Sequence, residues 1–209
     1  SILVTGNTVI DALYWVRDNL LGESANADFA RRFELDPDKR IVLVTGHRRE
    51  NHSGGLARMC DALAQIAARG DVQVLYPVHL NPKVQRTASK VLGGIEGVTL
   101  LEPLDYLPFV WLMNESSLIV TDSGGVQEEA PALGVPVLVT RDTTERPEAV
   151  DAGTVELVGT ETQAIVQAAN RLLDDHTHYE AMSSATSPYG DGAASERIVS
   201  YLLDSAVLT

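Results

Sequence analysis

The strongest constraint on the fold is a regular alternation of short apolar runs with longer stretches of helical periodicity. Most runs are continuously apolar, as parallel strands covered on both faces of a sheet require. The runs are Ile41–Thr45, Val72–Val78, Val98–Glu102, Leu118–Asp122, Pro136–Thr140 and Thr154–Val158. This alternation predicts an α/β fold with a doubly wound, mostly parallel, Rossmann-like sheet.

The stretches between the runs repeat apolar residues three and four positions apart, which gives each predicted helix one apolar face. The clearest repeats are Leu56, Met59, Cys60, Leu63, Ile66 and Ala67, and later Ala164, Ile165, Ala168, Ala169, Leu172 and Leu173. We predict a connecting helix (8–21) and a polar linker within residues 1–40. The Rossmann-like domain is predicted over 41–187, and a tail helix, near 193–203, within 188–209.

Composition excludes several classes of function. The formal charge of −13 opposes non-specific nucleic-acid binding, and no run of about eighteen apolar residues predicts a membrane span. The single cysteine, Cys60, allows no internal disulfide and lies on an apolar helix face, which favours a buried hydrophobe over a nucleophile. Ser1–Val4 reads as the end of a strand rather than a signal segment, and the missing initiating Met suggests a longer parent chain. We expect a cytoplasmic location.

Ligands of an open parallel sheet bind beyond the carboxyl ends of its strands, so the residues after each run are informative. After Leu118–Asp122 comes Ser123-Gly124-Gly125, followed by a predicted helix that opens at position 126. Glycines let the backbone approach a ligand closely, and a helix N-terminus offers free N–H groups to a phosphate. The serine hydroxyl can donate to that ligand or cap the helix, and Glu129 can accept from both hydroxyls of a ribose. The alternative is a tight βα turn whose acidic residues favour the helix start.

Cationic side chains follow two other strands: His47, Arg48 and Arg49 after the first, and Arg141 and Arg146 after the fifth. Such groups contact phosphate oxygens or stabilise a leaving diphosphate. One alternative is a solvated charged loop in which the histidine makes a local backbone bond. Another is a surface loop with local Arg–Glu pairing, which contributes little energy.

The remaining strand ends carry less charge. The backbone near Leu104 and the ring of Phe109 are suited to hold a flat base, whereas Trp111 is a core candidate. His79 is followed by a predicted helix with Pro82 in its first turn. The five histidines show no zinc spacing, and the chain lacks a cysteine pair, a Walker sequence and a Gly-x-Ser-x-Gly elbow.

Taken together, these loops closely resemble the bacterial non-hydrolysing UDP-N-acetylglucosamine 2-epimerases. The matching stretches are long, and they span the chain almost end to end. They are Thr5-Gly6-Asn7-Thr8, Gly46-His47-Arg48-Arg49-Glu50, Tyr76-Pro77-Val78-His79-Leu80-Asn81-Pro82, Tyr106-Leu107-Pro108-Phe109, Thr121-Asp122-Ser123-Gly124-Gly125-x-Gln127-Glu128-Glu129-Ala130-Pro131, Arg141-Asp142-Thr143-Thr144-Glu145-Arg146-Pro147-Glu148 and Pro188-Tyr189-Gly190-Asp191-Gly192.

The resemblance implies one half of a two-domain, glycosyltransferase-B-like enzyme that is a homodimer when intact. Members interconvert UDP-N-acetylglucosamine and UDP-N-acetylmannosamine by eliminating UDP to give 2-acetamidoglucal and then re-adding it. That scheme requires no nicotinamide and no metal. This chain would be the C-terminal half, which holds UDP, and its partner would be the N-terminal domain, whose carboxylates are thought to move the C2 proton.

The resemblance also implies roles for individual residues. His47 would be the catalytic residue that contacts UDP and assists departure of the diphosphate. The other roles are phosphate seats at Ser123, Gly124 and Gly125, a ribose acceptor at Glu129, a contact to the charged part of the ligand at Arg146, uracil contacts at Leu104 and Phe109, and, at His79, a position near the site where a second UDP-N-acetylglucosamine activates some members.

Two rival hypotheses keep the fold and change the function. One is the donor-binding domain of a glycosyltransferase, and the other is a non-enzymatic domain that senses nucleotide sugars. Because nothing in this sequence corresponds to the N-terminal domain, we also predict that the chain alone does not epimerise.

Overall fold

The computed structural model describes residues 2–48, 51 and 54–206, and a six-stranded parallel sheet forms the centre of that part. The strands are β1 (Arg40–Thr45), β2 (Val72–Pro77), β3 (Val98–Leu101), β4 (Leu118–Thr121), β5 (Val137–Val139) and β6 (Val155–Leu157). Their order is β3-β2-β1-β4-β5-β6, with every pairing parallel. The predicted α/β class is confirmed, and each predicted run overlaps one strand.

Helices surround the sheet throughout the described residues. They are α1 (Thr8–Leu20), α2 (Glu23–Arg32), α3 (Gly55–Ala67), α4 (Pro82–Leu92), α5 (Tyr106–Glu115), α6 (Gly124–Ala132), α7 (Pro147–Asp151), α8 (Thr162–Asp174), α9 (His176–Ser183) and α10 (Ala194–Ala206). Among the described helices, none is long and apolar enough to cross a membrane.

Alternate residues of β1 enter two hydrophobic clusters, one on each face of the sheet. Val42 and Val44 join the cluster formed with α3, α4 and α8, whereas Ile41 and Leu43 join the cluster formed with α1, α5 and α6. Burial on both faces explains why the strands are apolar without alternation. Cys60 and Trp111 lie in these clusters, 0% and 2% exposed, which confirms the core assignments.

The linker predicted before β1 is wrong in part, because Glu23–Arg32 forms α2. Phe29 and Phe33, one turn apart, pack on Trp111 with ring-centroid distances of 5.3 and 5.9 Å. The indole Nε1 of Trp111 also donates to Oδ1 of Asn26 at 2.8 Å. The two aromatic residues four positions apart indicate a helix. The charged residues around them make the same segment resemble a polar linker.

The start and the end of the described chain meet beside α1. Residues 2–7 have no regular structure, so the strand predicted for Ser1–Val4 is wrong over residues 2–4. The N–H of Asn7 donates to the carbonyl of Tyr189 at 2.7 Å. Asp11 of α1 accepts from the first two N–H groups of α10 at 3.1 and 2.6 Å, which caps that helix.

Candidate functional site

The sheet has a switch point between β1 and β4. These strands are neighbours, but α3, which follows β1, and α6, which follows β4, cover opposite faces. The two loops therefore diverge and leave a crevice at the carboxyl edge, where open α/β sheets bind ligands. His47 lies on the first of these loops and Ser123 on the second.

A cavity of about 270 Å³ with mostly apolar walls opens at this edge. Its size and lining suit a flat aromatic ring. Five of the predicted site residues line it together: His47, His79, Leu104, Phe109 and Ser123. The other predicted residues, Gly124, Gly125, Glu129 and Arg146, lie outside this cavity along α6 and at the start of α7.

The two histidines of the cavity stack on each other. The rings of His47 and His79 are 5.2 Å apart between centroids, with an angle of 15° between their planes. Nδ1 of His79 accepts from the N–H of Asn81 at 3.0 Å, and Asn81 caps α4, where Pro82 occupies the first turn as predicted. An accepting Nδ1 leaves the proton of the neutral His79 ring on Nε2.

A fully buried carboxylate, Asp122, holds the loop that carries His47. It accepts from the N–H of His47 at 3.0 and 3.1 Å, from the N–H of Arg48 at 2.9 Å and from the amide of Asn51 at 3.0 Å. Nδ1 of His47 lies 3.6 Å from the same carboxylate. Sequence reasoning missed this residue, although a charged side chain at the end of an apolar run was the available signal.

The glycine pair belongs to α6 itself, which begins at Gly124 rather than at position 126. A methyl group on Gly124 would lie 3.5 Å from Nη2 of Arg48 and 3.9 Å from Nη2 of Arg146. Two guanidinium groups therefore converge on the N-terminus of a helix, an arrangement that favours anions. Ser123 makes no capping bond, which excludes the capping alternative for its hydroxyl.

The guanidinium groups near the N-terminus of α6, which we call the cationic rim, are those of Arg48, Arg141 and Arg146. Each has a carboxylate partner. Arg48 Nη2 lies 2.6 Å from Oε1 of Glu145, and Arg141 pairs with the other oxygen of Glu145. The hydrogen bond from Arg141 lowers the pKa of Glu145 to about 2, with Arg48 contributing. Local Arg–Glu pairing thus holds for Arg141, whereas Arg48 reaches across the crevice and Arg146 pairs with Glu128. Arg49 and Glu50, which belong to the motif that contains His47, lie outside the described residues.

Glu129 faces Tyr106, with which it shares a hydrogen bond. Burial raises the pKa of Glu129 to about 7, the neighbouring Glu128 adds to this rise, and the bond to Tyr106 opposes it. The pKa of Tyr106 rises to about 12, mainly through burial. Over the first two turns of α6, this carboxyl group offers an acceptor and the nearby guanidinium groups offer donors.

Glu128 joins the rim to the beginning of the chain. One carboxylate oxygen pairs with Arg146, and the other accepts from Nδ2 of Asn7 at 2.5 Å. Asn7 also caps α1 by accepting from the N–H of Val9 at 3.0 Å. Sequence reasoning gave Glu128 no role. Across residues 2–48, 51 and 54–206, no three histidine, cysteine or acidic side chains gather closely enough to hold a metal ion.

Known proteins resemble the whole chain. The model of the family described as UDP-N-acetylglucosamine 2-epimerase matches residues 1–203. A UDP-N-acetylglucosamine 2-epimerase of Yersinia pestis is 57% identical over 209 residues, a match that covers 99% of this chain and 56% of that protein. The chain spans about half the length of the curated relatives it matches.

Solved structures agree with this match. The crystal structure of UDP-GlcNAc 2-epimerase from Neisseria meningitidis bound to UDP-GlcNAc has a TM-score of 0.91 and 45% identity, covering 97% of this chain and 55% of that one. WaaG, a glycosyltransferase involved in lipopolysaccharide biosynthesis, has a TM-score of 0.60 over 78% of this chain and 46% of its own; at 17% identity it shows the fold alone. Family model, relatives and fold agree, and the chain belongs to the UDP-N-acetylglucosamine 2-epimerase family.

Proposed function

We propose that this chain holds the UDP portion of a UDP-sugar, as the nucleotide-binding half of an enzyme that interconverts UDP-N-acetylglucosamine and UDP-N-acetylmannosamine. The observation that carries the proposal is the meeting of three features at the first turn of α6. They are a mostly apolar cavity, a glycine pair at a helix N-terminus, and the guanidinium groups of Arg48 and Arg146. The cavity suits the base, and the glycine pair and the guanidinium groups together suit the diphosphate.

The base and the diphosphate occupy neighbouring parts of the crevice in this proposal. Uracil lies in the cavity against Leu104 and Phe109, where an apolar wall and backbone groups recognise a flat ring. The diphosphate lies over Ser123 and the free N–H groups of Gly124 and Gly125. Arg146 neutralises its charge, exchanging part of its contact with Glu128 for the ligand.

The ribose lies against Glu129. A carboxylate accepts from two neighbouring hydroxyl groups at once, and a hydrogen bond with Tyr106 favours the ionised form of this one. The ionised form is the one that accepts both bonds.

In the proposed reaction, a base of the other half removes the C2 proton while the bond between C1 and the diphosphate oxygen breaks. UDP leaves with the electron pair, which gives 2-acetamidoglucal, and re-addition returns the proton to the opposite face. His47, at the rim of the cavity, stabilises or protonates the leaving diphosphate. This scheme uses no added cofactor.

The parts that the chain does not contain are proposals as well. The carboxylates of an N-terminal domain complete the cleft, the intact enzyme is a homodimer, and the isolated chain does not epimerise. His79 is proposed to lie near the site where a second UDP-N-acetylglucosamine activates some members of the family. A glycosyltransferase donor domain remains the alternative, since WaaG shares the fold. Release of 2-acetamidoglucal by the full-length protein supports the epimerase, and transfer to an acceptor supports the alternative.

Calorimetric titration of the 209-residue chain with UDP and with 2′-deoxy-UDP tests the ribose contact. We expect UDP to bind about tenfold more tightly than the deoxy analogue, because a hydrogen bond to a charged group contributes roughly 1.5 kcal/mol or more. In Glu129→Ala, we expect the two ligands to bind alike.

Arg146→Ala is the companion variant, since it should weaken both ligands equally and preserve their ratio. Binding of UDP that is unchanged in both variants would contradict the assigned contacts. If UDP does not bind the parent chain, the claim that this half holds the nucleotide by itself fails.

A further inference from the structure

We infer that Asp122 is a positioning residue: it fixes the loop after β1 and directs Nδ1 of His47 toward its own carboxylate, so that Nε2 serves the cavity. The inference adds a residue to the machinery of the site. It rests on the proposed function only for the identity of the ligand that His47 serves.

The first support is burial. Asp122 is 0% exposed, at the point where β4 ends and the crevice begins. A carboxylate is stable in such a place only when its oxygens accept hydrogen bonds from several donors. The donors here are the main-chain N–H groups of His47 and Arg48 and the side-chain amide of Asn51, all from the neighbouring loop. The carboxylate therefore determines where that loop lies.

The second support is the environment of the imidazole. His47 lies between two groups: the carboxylate of Asp122, 3.6 Å from Nδ1, and the stacked ring of His79, 5.2 Å away. A lone pair on Nδ1 would face a negative oxygen, whereas a proton there would be attracted to it. The neutral ring therefore carries its proton on Nδ1, and Nε2 is the position through which the protonated ring would donate to the diphosphate.

The third support is that the carboxylate of Asp122 also fixes the backbone of Arg48. Because the N–H of Arg48 is also bound to Asp122, the Arg48 side chain leaves the backbone at a fixed point and reaches Glu145 beside Gly124. One buried group thus fixes the backbone of both a proton-transfer candidate and a cation beside the expected diphosphate.

The two histidines of the stacked pair are consequently expected to be opposite tautomers. His79 accepts at Nδ1 from the N–H of Asn81 and carries its proton on Nε2, whereas His47 carries its proton on Nδ1. In water the Nε2 form of a neutral imidazole predominates, so an Nδ1–H form at His47 would report the neighbouring carboxylate of Asp122.

The test is a long-range proton–nitrogen correlation spectrum of the ¹⁵N-labelled 209-residue chain at about pH 8.5, where histidine is neutral. His47→Gln identifies the signals of His47. We expect the Nδ1–H form for His47 and the Nε2–H form for His79. In Asp122→Asn, we expect His47 to lose the Nδ1–H form, and the amide protons of His47 and Arg48 to move upfield.

Asn51→Ala is the matched control, since it removes one donor to the carboxylate but leaves the charge, and it should keep His47 in the Nδ1–H form. An Nε2–H form in the unmodified chain overturns the inference, as does an unchanged tautomer in Asp122→Asn. If Asp122→Asn does not fold, the spectrum of the unmodified chain decides alone. The spectra contain no nucleotide, so a failure of UDP to bind would count against the proposed function and leave this inference standing.

Discussion

Glu129 carries two opposing requirements in a single carboxyl group. Burial and the neighbouring Glu128 favour its neutral form and raise its pKa from 4.5 to about 7. A ribose acceptor, however, has to be ionised. Near neutral pH the residue is therefore close to half-ionised in the free chain, and hydroxyl donors of a ligand would shift it toward the charged state.

The raised pKa predicts a pH-dependent effect on stability. Because the folded-state value exceeds the unfolded one, the contribution of this group is present below pH 4.5 and lost as pH rises toward about 7. Glu129→Gln should therefore stabilise the chain more at pH 8 than at pH 5.5, by about 1 kcal/mol after allowance for partial exposure. Urea unfolding at both pH values measures the difference. An equal effect at the two values would show that the carboxyl group titrates normally.

At the scale of elements, α6 is the unit on which the site is built. Its first turn supplies free N–H groups, and the side chains around Gly124 are those of Arg48, Glu145 and Arg146. Gly125 is exposed, and a methyl group there would meet nothing within 4 Å. The two glycines therefore differ in what a side chain would obstruct, although both occupy a helical turn.

This difference predicts divergent outcomes for two matched substitutions. Gly124→Ala and Gly125→Ala should each stabilise the helix by roughly 0.5–1 kcal/mol, because alanine restricts the unfolded chain. Gly124→Ala should also weaken UDP binding by about tenfold, since its methyl group enters the space between the guanidinium groups. Thermal unfolding and calorimetry of the pair provide the check. Similar affinities in both variants would place the diphosphate away from Gly124.

The strands could be predicted because burial on both faces leaves an unmistakable apolar run. Short elements were not predicted: α7 has five residues, and the sequence around its start at Pro147 was interpreted as a loop. The strand-end residues His47 and Ser123 were found because parallel strands bring their carboxyl ends to one edge. Asp122 and Glu128 were not, because their partners are distant in sequence: 71 to 75 residues for Asp122, and 18 and 121 residues for Glu128.

At the scale of the molecule, Glu128 is the point where three distant segments meet. It joins Asn7, at the entry to α1, to Arg146, at the entry to α7, and Asn7 is bound in turn to Tyr189 before α10. The side chain of Glu128 is 11% exposed, so its charge depends on these partners. The carboxylate of Glu128 therefore connects Arg146, at the proposed diphosphate site, to the segments that flank the domain.

A double-mutant cycle measures this connection. Glu128→Gln should destabilise the chain by roughly 1–3 kcal/mol, because it leaves Arg146 without its charged partner. Asn7→Ala should cost less in this background than in the parent, with a coupling free energy of about 0.5–1.5 kcal/mol. Urea unfolding of the four proteins gives the value. Additive effects would mean that the two residues act independently.

The adjacency of β1 and β4 also has a kinetic consequence. The bonds between Asp122 and the His47 loop join residues 75 positions apart, and β1 can pair with β4 only after the intervening chain has been closed into a loop. Such closure costs entropy before any contact repays it, and parallel pairing over long separations is slow. The crevice should therefore be among the last regions to mature during folding, and a nucleotide that recognises it would select chains in which both halves of the sheet have already joined.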